Sequence, residues 1–140
     1  MFFNGCYERT IDPKNRIVMP PKLRDALGAK EFVIFTDPTE NFIRLYRIEQ
    51  WEEMTDKLLY ADDGVDRTVL QRALYRYSEN CELDSQSRFV LPPQFVERAG
   101  IVRDIVIIGL GKRIEIWSKD RYEETVVKDD ATLGKITLKY

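Results

Sequence analysis

The order of apolar and polar positions predicts the same series of short elements in each half of this chain of 140 residues. In the first half, residues 5–11 and 16–19 are extended segments on either side of a turn. Pro21 then suits the first turn of a short helix, and apolar runs at 32–35 and 42–46 predict two further strands. The second half repeats this order, so the pattern predicts an α+β chain made of two related units.

Helical spacing of apolar residues marks three longer segments. Residues 48–60 carry apolar side chains at helical intervals, and Ser118 is a suitable N-cap for a final helix. A helix at about 65–77 has no counterpart in the repeated unit. Its Arg72 and Arg76 lie off the apolar stripe as like charges four positions apart, which indicates a face turned to solvent or to another subunit.

The repeat is clearest in one motif. The chain reads Asp-Pro-Lys-Asn-Arg-Ile-Val-Met-Pro-Pro from Asp12, and Asp-Ser-Gln-Ser-Arg-Phe-Val-Leu-Pro-Pro from Asp84, seventy-two positions later. An internal repeat of this kind sets the domain organisation. We therefore divide the chain into a first repeat (1–62), a linker helix (63–80), a second repeat (81–127) and a polar tail (128–140). The tail alternates only weakly, and both a disordered end and an added edge strand are open to it.

Each Asp-x-x-x-Arg motif has the composition of a hairpin loop. The Asp suits the first position of a turn, and Asn15 tolerates the left-handed conformation that closes it. One interpretation is structural: Arg16 pairs with Asp12, and a surface ion pair of this kind contributes about 0–1 kcal/mol. The other is functional, because an arginine at a hairpin tip can reach a phosphate or the edge of a guanine. Lys14, on the same loop, favours the functional interpretation.

Composition limits the chemistry that this chain can perform. It has no histidine and two cysteines, and it contains neither a Walker loop nor a dinucleotide fingerprint. The Arg four residues after each Asp would keep these carboxylates ionised rather than suited to proton transfer. The sequence therefore predicts no enzyme activity, no cofactor and no metal site. The net charge of −2 argues mildly against a nucleic-acid partner, but DNA binding needs only a local cluster of cations.

The location of the protein follows from two absences in the sequence. No apolar run approaches the roughly 18 residues of a membrane-spanning helix, and the N-terminus lacks the features of a signal peptide. We therefore expect a cytoplasmic protein with no membrane partner.

The paired Asp-x-x-x-Arg loops, each followed by an apolar trio and proline, resemble the MraZ family of bacterial transcriptional regulators and, more widely, the AbrB-like domain. The resemblance extends from Phe2 to about Val127. It implies a pseudo-dimeric swapped-hairpin β-barrel, built from two internal repeats and decorated by helices. It also implies a nucleoid-associated homo-oligomer, a ring of about eight subunits. The implied partner is double-stranded DNA, at direct repeats in the promoter of the division and cell-wall gene cluster.

Carried over to this sequence, the resemblance assigns DNA contact to six residues: Arg9, Lys14, Asn15, Arg16, Gln86 and Arg88. Asp12 and Asp84 would orient the loops, because phosphates repel carboxylates. The family loop usually has Gly where Asn15 and Ser87 stand, and the second loop has lost the Lys. We therefore expect the first loop to dominate DNA binding. A ring-forming scaffold and an AbrB-like antitoxin are the alternatives.

Overall fold

The computed structural model describes residues 1–60 and 66–136, which form an α+β fold with the predicted order of elements. The strands are β1 (Cys6–Thr10), β2 (Arg16–Val18), β3 (Glu31–Phe35), β4 (Ile43–Tyr46), β5 (Ser78–Glu82), β6 (Arg88–Val90), β7 (Asp104–Gly109) and β8 (Arg113–Ser118). The helices are α1 (Pro21–Leu27), α2 (Ile48–Tyr60), α3 (Arg67–Arg76), α4 (Pro93–Ala99) and α5 (Lys119–Leu133). The α+β class predicted from the sequence is confirmed.

The two halves exchange their first strands. Six strands form an antiparallel sheet in the order β1-β7-β8-β4-β3-β5. The first strand of the first half, β1, pairs with β7 of the second half, with Tyr7 opposite Ile107. The first strand of the second half, β5, pairs with β3 of the first half, with Val33 opposite Asn80. Each half therefore completes the sheet of the other.

The sheet does not close into the predicted barrel. Its edge strands are β1 and β5, and the remaining strands, β2 and β6, pair only with each other as a separate two-stranded ribbon. A ladder from β1 to β2 would need free backbone groups at the edge of the ribbon. At Arg16 these groups are bonded to Asp12, and at Arg88 they are bonded to Asp84. The loops therefore end the hydrogen-bonded ladder on both sides of the ribbon.

The main core lies beneath this ribbon. Ile17 and Phe89 are buried and face each other at the centre of the ribbon, and the Phe89 ring meets Phe32 edge to face at 5.2 Å. A second cluster lies between the sheet, α2 and α3, where Trp51 packs with Leu74. The ribbon is thus fixed to the core by its inner residues, which leaves its outer face to solvent.

The end of the chain departs from the sequence prediction. Residues 128–140 are predicted as a polar tail, disordered or paired as an edge strand, but α5 continues through Lys128 to Leu133. Helix formation is cooperative, so a helix that starts at the capping residue Ser118 extends past a weak sequence pattern. The boundary predicted at 62–63 and residues 137–140 of the predicted tail lie outside the described residues.

Candidate nucleic-acid interface

The first loop is organised around the carboxylate of Asp12. Its Oδ1 accepts the backbone N–H of Lys14 at 2.9 Å and that of Arg16 at 2.8 Å, while Oδ2 accepts Nε of Arg16 at 2.6 Å. Asn15 closes the turn at a φ of 60°, which Asn tolerates better than most residues. One aspartate therefore fixes both the turn and the direction of the arginine that follows it.

The second loop repeats this arrangement bond for bond. Asp84 Oδ1 accepts the backbone N–H of Gln86 at 2.8 Å and that of Arg88 at 2.9 Å, and Oδ2 accepts Nε of Arg88 at 2.9 Å. Ser87 occupies the left-handed position at a φ of 58°. The departures from the family pattern in this loop have therefore left its geometry unchanged, although Ser87 adopts a conformation that disfavours ordinary side chains.

Charge and hydrogen bonding keep both aspartates ionised. The backbone N–H of Arg16 is the main cause that lowers the pKa of Asp12, with further contributions from its guanidinium and from the N–H of Lys14. The pKa of Asp84 is lowered in the same way, chiefly by the backbone N–H of Arg88. A permanent negative charge at each site holds the facing arginine.

The arginines keep most of their donors available. Each uses Nε to bind its aspartate, and Nη1 and Nη2 of Arg16 and Arg88 have no hydrogen-bond partner within residues 1–60 and 66–136. The guanidinium is planar, and its two remaining nitrogens can bind two acceptors at once. Each loop therefore presents an oriented bidentate donor.

The register of the ribbon relates the two loops by a pseudo-twofold axis. Arg16 lies opposite Val90 and Val18 lies opposite Arg88, with the Ile17–Phe89 pair at the centre. Because the backbone bonds of the ribbon flank these outer pairs, Arg16–Val90 and Val18–Arg88 are the closely spaced, non-hydrogen-bonded kind. Both arginines therefore share one outer face.

Two valines on this face were missed from the sequence. Val18 is 49% exposed and Val90 is 55% exposed. In the sequence they stand out only as members of the apolar trio that follows each arginine. The signal that could have placed them outside is the period of two in a strand, because the buried residues Ile17 and Phe89 lie between them and the arginines.

The other predicted site residues lie in different surroundings. Lys14 and Gln86 are exposed at equivalent positions of the two loops, and Asn15 is half-buried in its turn. Arg9 lies on β1, where its Nη1 donates to the carbonyl of Glu8 at 2.8 Å. The structure thus brings each loop together around its own aspartate, and DNA contact by Arg9 stays a prediction.

No helix in residues 1–60 and 66–136 is long and apolar enough to cross a membrane.

The chain is similar to known proteins along almost its whole length. The family model described as "MraZ protein, putative antitoxin-like" matches residues 2–72 and 74–136. The Transcriptional regulator MraZ of Clostridium beijerinckii is 41% identical over 123 residues, which cover 87% of this chain and 85% of the relative. That of Heliobacterium modesticaldum is 36% identical over 123 residues, with the same coverage of both chains. That of Cytophaga hutchinsonii is 30% identical over an alignment of 142 positions, which covers 99% of this chain and 94% of the relative. The chain therefore belongs to the MraZ family.

Proposed function

We propose that this protein is a sequence-specific DNA-binding transcriptional regulator that acts in the cytoplasm, on the nucleoid. It binds repeated promoter boxes ahead of the division and cell-wall gene cluster, and it does so as a ring of subunits. The observation that carries the proposal is the pair of aspartate-framed arginines on one face of the ribbon. The name Transcriptional regulator MraZ, which the relatives carry, supports the same class and is not the name of an enzyme.

The geometry of the arginines suits the reading of base edges. An arginine that donates two hydrogen bonds to O6 and N7 of guanine is the commonest specific contact in the major groove. Asp12 and Asp84 orient the guanidinium groups before DNA arrives, which lowers the entropy lost on binding. Lys14, exposed beside Arg16, contributes a phosphate contact. Gln86 takes the equivalent place in the second loop without a charge, so the first loop binds DNA more strongly.

The swapped-hairpin description of the two halves also belongs to this proposal, and it is supported by the exchange of β1 and β5 between them. Each subunit presents one ribbon, and one short contact of this size binds weakly. Several subunits held in a ring bind several promoter boxes at once, so that weak contacts add through effective concentration.

Substitution of Arg16 tests the proposal. Arg16→Ala removes the bidentate donor, while Asp12 keeps its bonds to the backbone N–H groups of Lys14 and Arg16. We expect affinity for the promoter of the chain's own gene cluster to fall by about 5- to 150-fold, which corresponds to about 1–3 kcal/mol for one bidentate pair. Gel shift or fluorescence anisotropy measures the affinity, and mass photometry measures the assembly.

Matched variants separate the alternatives. Lys112→Ala removes one exposed positive charge in the β7–β8 turn, at the other end of β7 from the first loop, and leaves affinity unchanged. Arg16→Lys keeps the charge and loses the planar fork, so it weakens specific binding more than binding to unrelated DNA. If Arg16→Ala breaks the assembly and leaves DNA binding intact, the loops are subunit contacts and the scaffold is the correct function.

A further inference from the structure

No element within residues 1–60 and 66–136 covers the second half of α5. None of the residues of α5 is fully buried, and every residue from Val127 to the end of the helix is exposed. Val127 is 71% exposed although it is apolar. Short helices gain most of their stability from packing an apolar face rather than from intrinsic propensity. The end of α5 therefore lacks the contact that helices of this length normally have.

The repeat indicates what kind of contact is missing. Helix α2 is the counterpart of α5 in the first half, since Trp51 and Tyr122 hold equivalent positions seventy-one residues apart. Helix α3 packs against α2, and Leu59 of α2 is buried in the same apolar cluster as Leu74 of α3. At the same offset from Leu59, α5 carries Asp130. A helix that covers α5 in the corresponding way must therefore meet a carboxylate.

Acidic residues surround the exposed valine of α5. Glu124 lies one turn before Val127 and Asp130 lies one turn after it, so both share its face of the helix. Neither side chain has a hydrogen-bond or ion-pair partner within residues 1–60 and 66–136. This face, Glu124–Val127–Asp130, is called the acidic face below.

The outer side of α3 has the complementary character. Val69, Arg72 and Arg76 lie three and seven positions apart on one face and are exposed, Val69 by 58%. The helix contains no acidic residue from Arg67 to Arg76. The inner side of α3 is already used to cover α2, through Leu74. The face Val69–Arg72–Arg76, called the basic face below, therefore remains exposed.

We propose that the acidic face of α5 docks on the basic face of α3 of a second copy of this chain. The inference rests on the proposed homo-oligomer and names the surfaces that build it. Each face combines an exposed valine with two side chains of one charge, and the charges of the two faces are opposite, so contact pairs the charges and buries Val69 against Val127. In the sheet order, α3 packs near β5 at one end, whereas α5 packs on β7 and β8 near the other.

This placement determines the kind of assembly. Two different surfaces on each subunit make a head-to-tail contact, and such contacts produce a closed ring or an open filament. α3 then covers two helices, α2 of its own chain with its inner face and α5 of the neighbour with its outer face. The ribbon, with Arg16 and Arg88, takes no part in the contact and remains available for DNA.

Charge reversal on both helices tests the interface. One variant carries Arg72→Glu and Arg76→Glu on α3, and the other carries Glu124→Arg and Asp130→Arg on α5. Each variant alone places like charges across the contact, so we expect both to sediment as species smaller than the wild-type oligomer in analytical ultracentrifugation. When the two variants are mixed, each contact regains opposite charges, and we expect an assembly of wild-type size that contains both chains.

The controls keep this test separate from the test of DNA binding. Lys22→Glu with Arg24→Glu makes the same change in charge as the α3 variant on the exposed side of α1, and it leaves the assembly intact. Circular dichroism of each variant measures helix content and identifies a variant that has unfolded. The α5 variant adds positive charge, so it retains affinity for a single promoter box while it loses the gain from several boxes.

The outcomes distinguish the two proposals. If the reversed variants assemble like the wild type, or if their mixture stays dissociated although both are folded, the α3–α5 contact is wrong whatever the DNA result. If the mixture assembles and none of these proteins binds the promoter, the interface stands and the proposed function fails.

Discussion

The left-handed residue in each loop gives a prediction that compares the two repeats directly. Asn15 has a φ of 60° and Ser87 has a φ of 58°. A left-handed backbone costs an ordinary L-residue about 1–2 kcal/mol, whereas Asn adopts it several-fold more readily. Glycine adopts it without strain but loses about 0.5–1 kcal/mol more conformational entropy on folding. The balance between backbone strain and the entropy that glycine loses on folding therefore differs between Asn15 and Ser87.

We expect Ser87→Gly to stabilise the protein by about 0.5–1 kcal/mol, because relief of strain exceeds the added entropy loss. Asn15→Gly should be neutral or slightly destabilising, because Asn15 has little strain to relieve. The bonds of Ser87 are made by its backbone, whose N–H donates to Asp84 and whose carbonyl accepts from Met19, so glycine keeps both. The loop therefore accommodates glycine at this position without any other change in its hydrogen bonds.

Thermal unfolding measures the difference. At this chain length, a stabilisation of about 1 kcal/mol raises the Tm by about 3–4 °C. All variants are compared at one protein concentration, since the stability of an oligomer depends on concentration. Ser87→Ala is the matched control: it keeps the strain and should leave the Tm close to that of the wild type. If Ser87→Gly lowers the Tm as much as or more than Asn15→Gly, the argument from strain is refuted.

Two further predictions concern titration and thiol chemistry. The pKa values of Asp12 and Asp84 are lowered in the folded state, so their contribution to stability is complete above the ordinary pKa of 3.8 and is lost as pH falls through the lowered values. We therefore expect the variant with both Asp12→Asn and Asp84→Asn to lose stability less steeply than the wild type as the pH falls below that value. If the two proteins lose stability with the same slope, the bonding around the loops is contradicted. Burial raises the pKa of Cys81 to about 12, whereas Cys6 is exposed. Iodoacetamide at about pH 8 should then label Cys6 alone, because the thiolate is the reactive form, and rapid labelling of a Cys6→Ser variant would show that Cys81 is open to solvent.

Local features of the sequence predicted local features of the structure. Asp, Asn and Arg at fixed spacing specify a turn whose bonds close within five residues, so Asp12 and Arg16 were placed together from the sequence. Pro21 and Gly28 likewise bound α1 because each acts on its own backbone. These predictions needed no knowledge of distant contacts.

The partners of each strand could not be predicted in the same way. The alternation in β1 shows which side chains face inward, but it does not say whether β1 pairs within its own half or with β7. The prediction of a closed β-barrel was wrong for a related reason. Its closure depended on backbone groups at Arg16 and Arg88, and the sequence does not show that Asp12 and Asp84 already bind them.

The pseudo-twofold axis of the ribbon has a consequence for the proposed binding to direct repeats in a promoter. Two identical loops related by such an axis would read a palindrome and would bind it equally well in both orientations. A direct repeat has one direction, so the reader needs two unequal loops. In the proposed function, the difference between Lys14 and Gln86 makes the loops unequal, while both loops keep the same bonds from aspartate to arginine. Gln86→Lys should therefore raise overall affinity for DNA while it weakens the preference for one orientation of a box. Unchanged affinity in that variant would show that the second loop lies away from the phosphates.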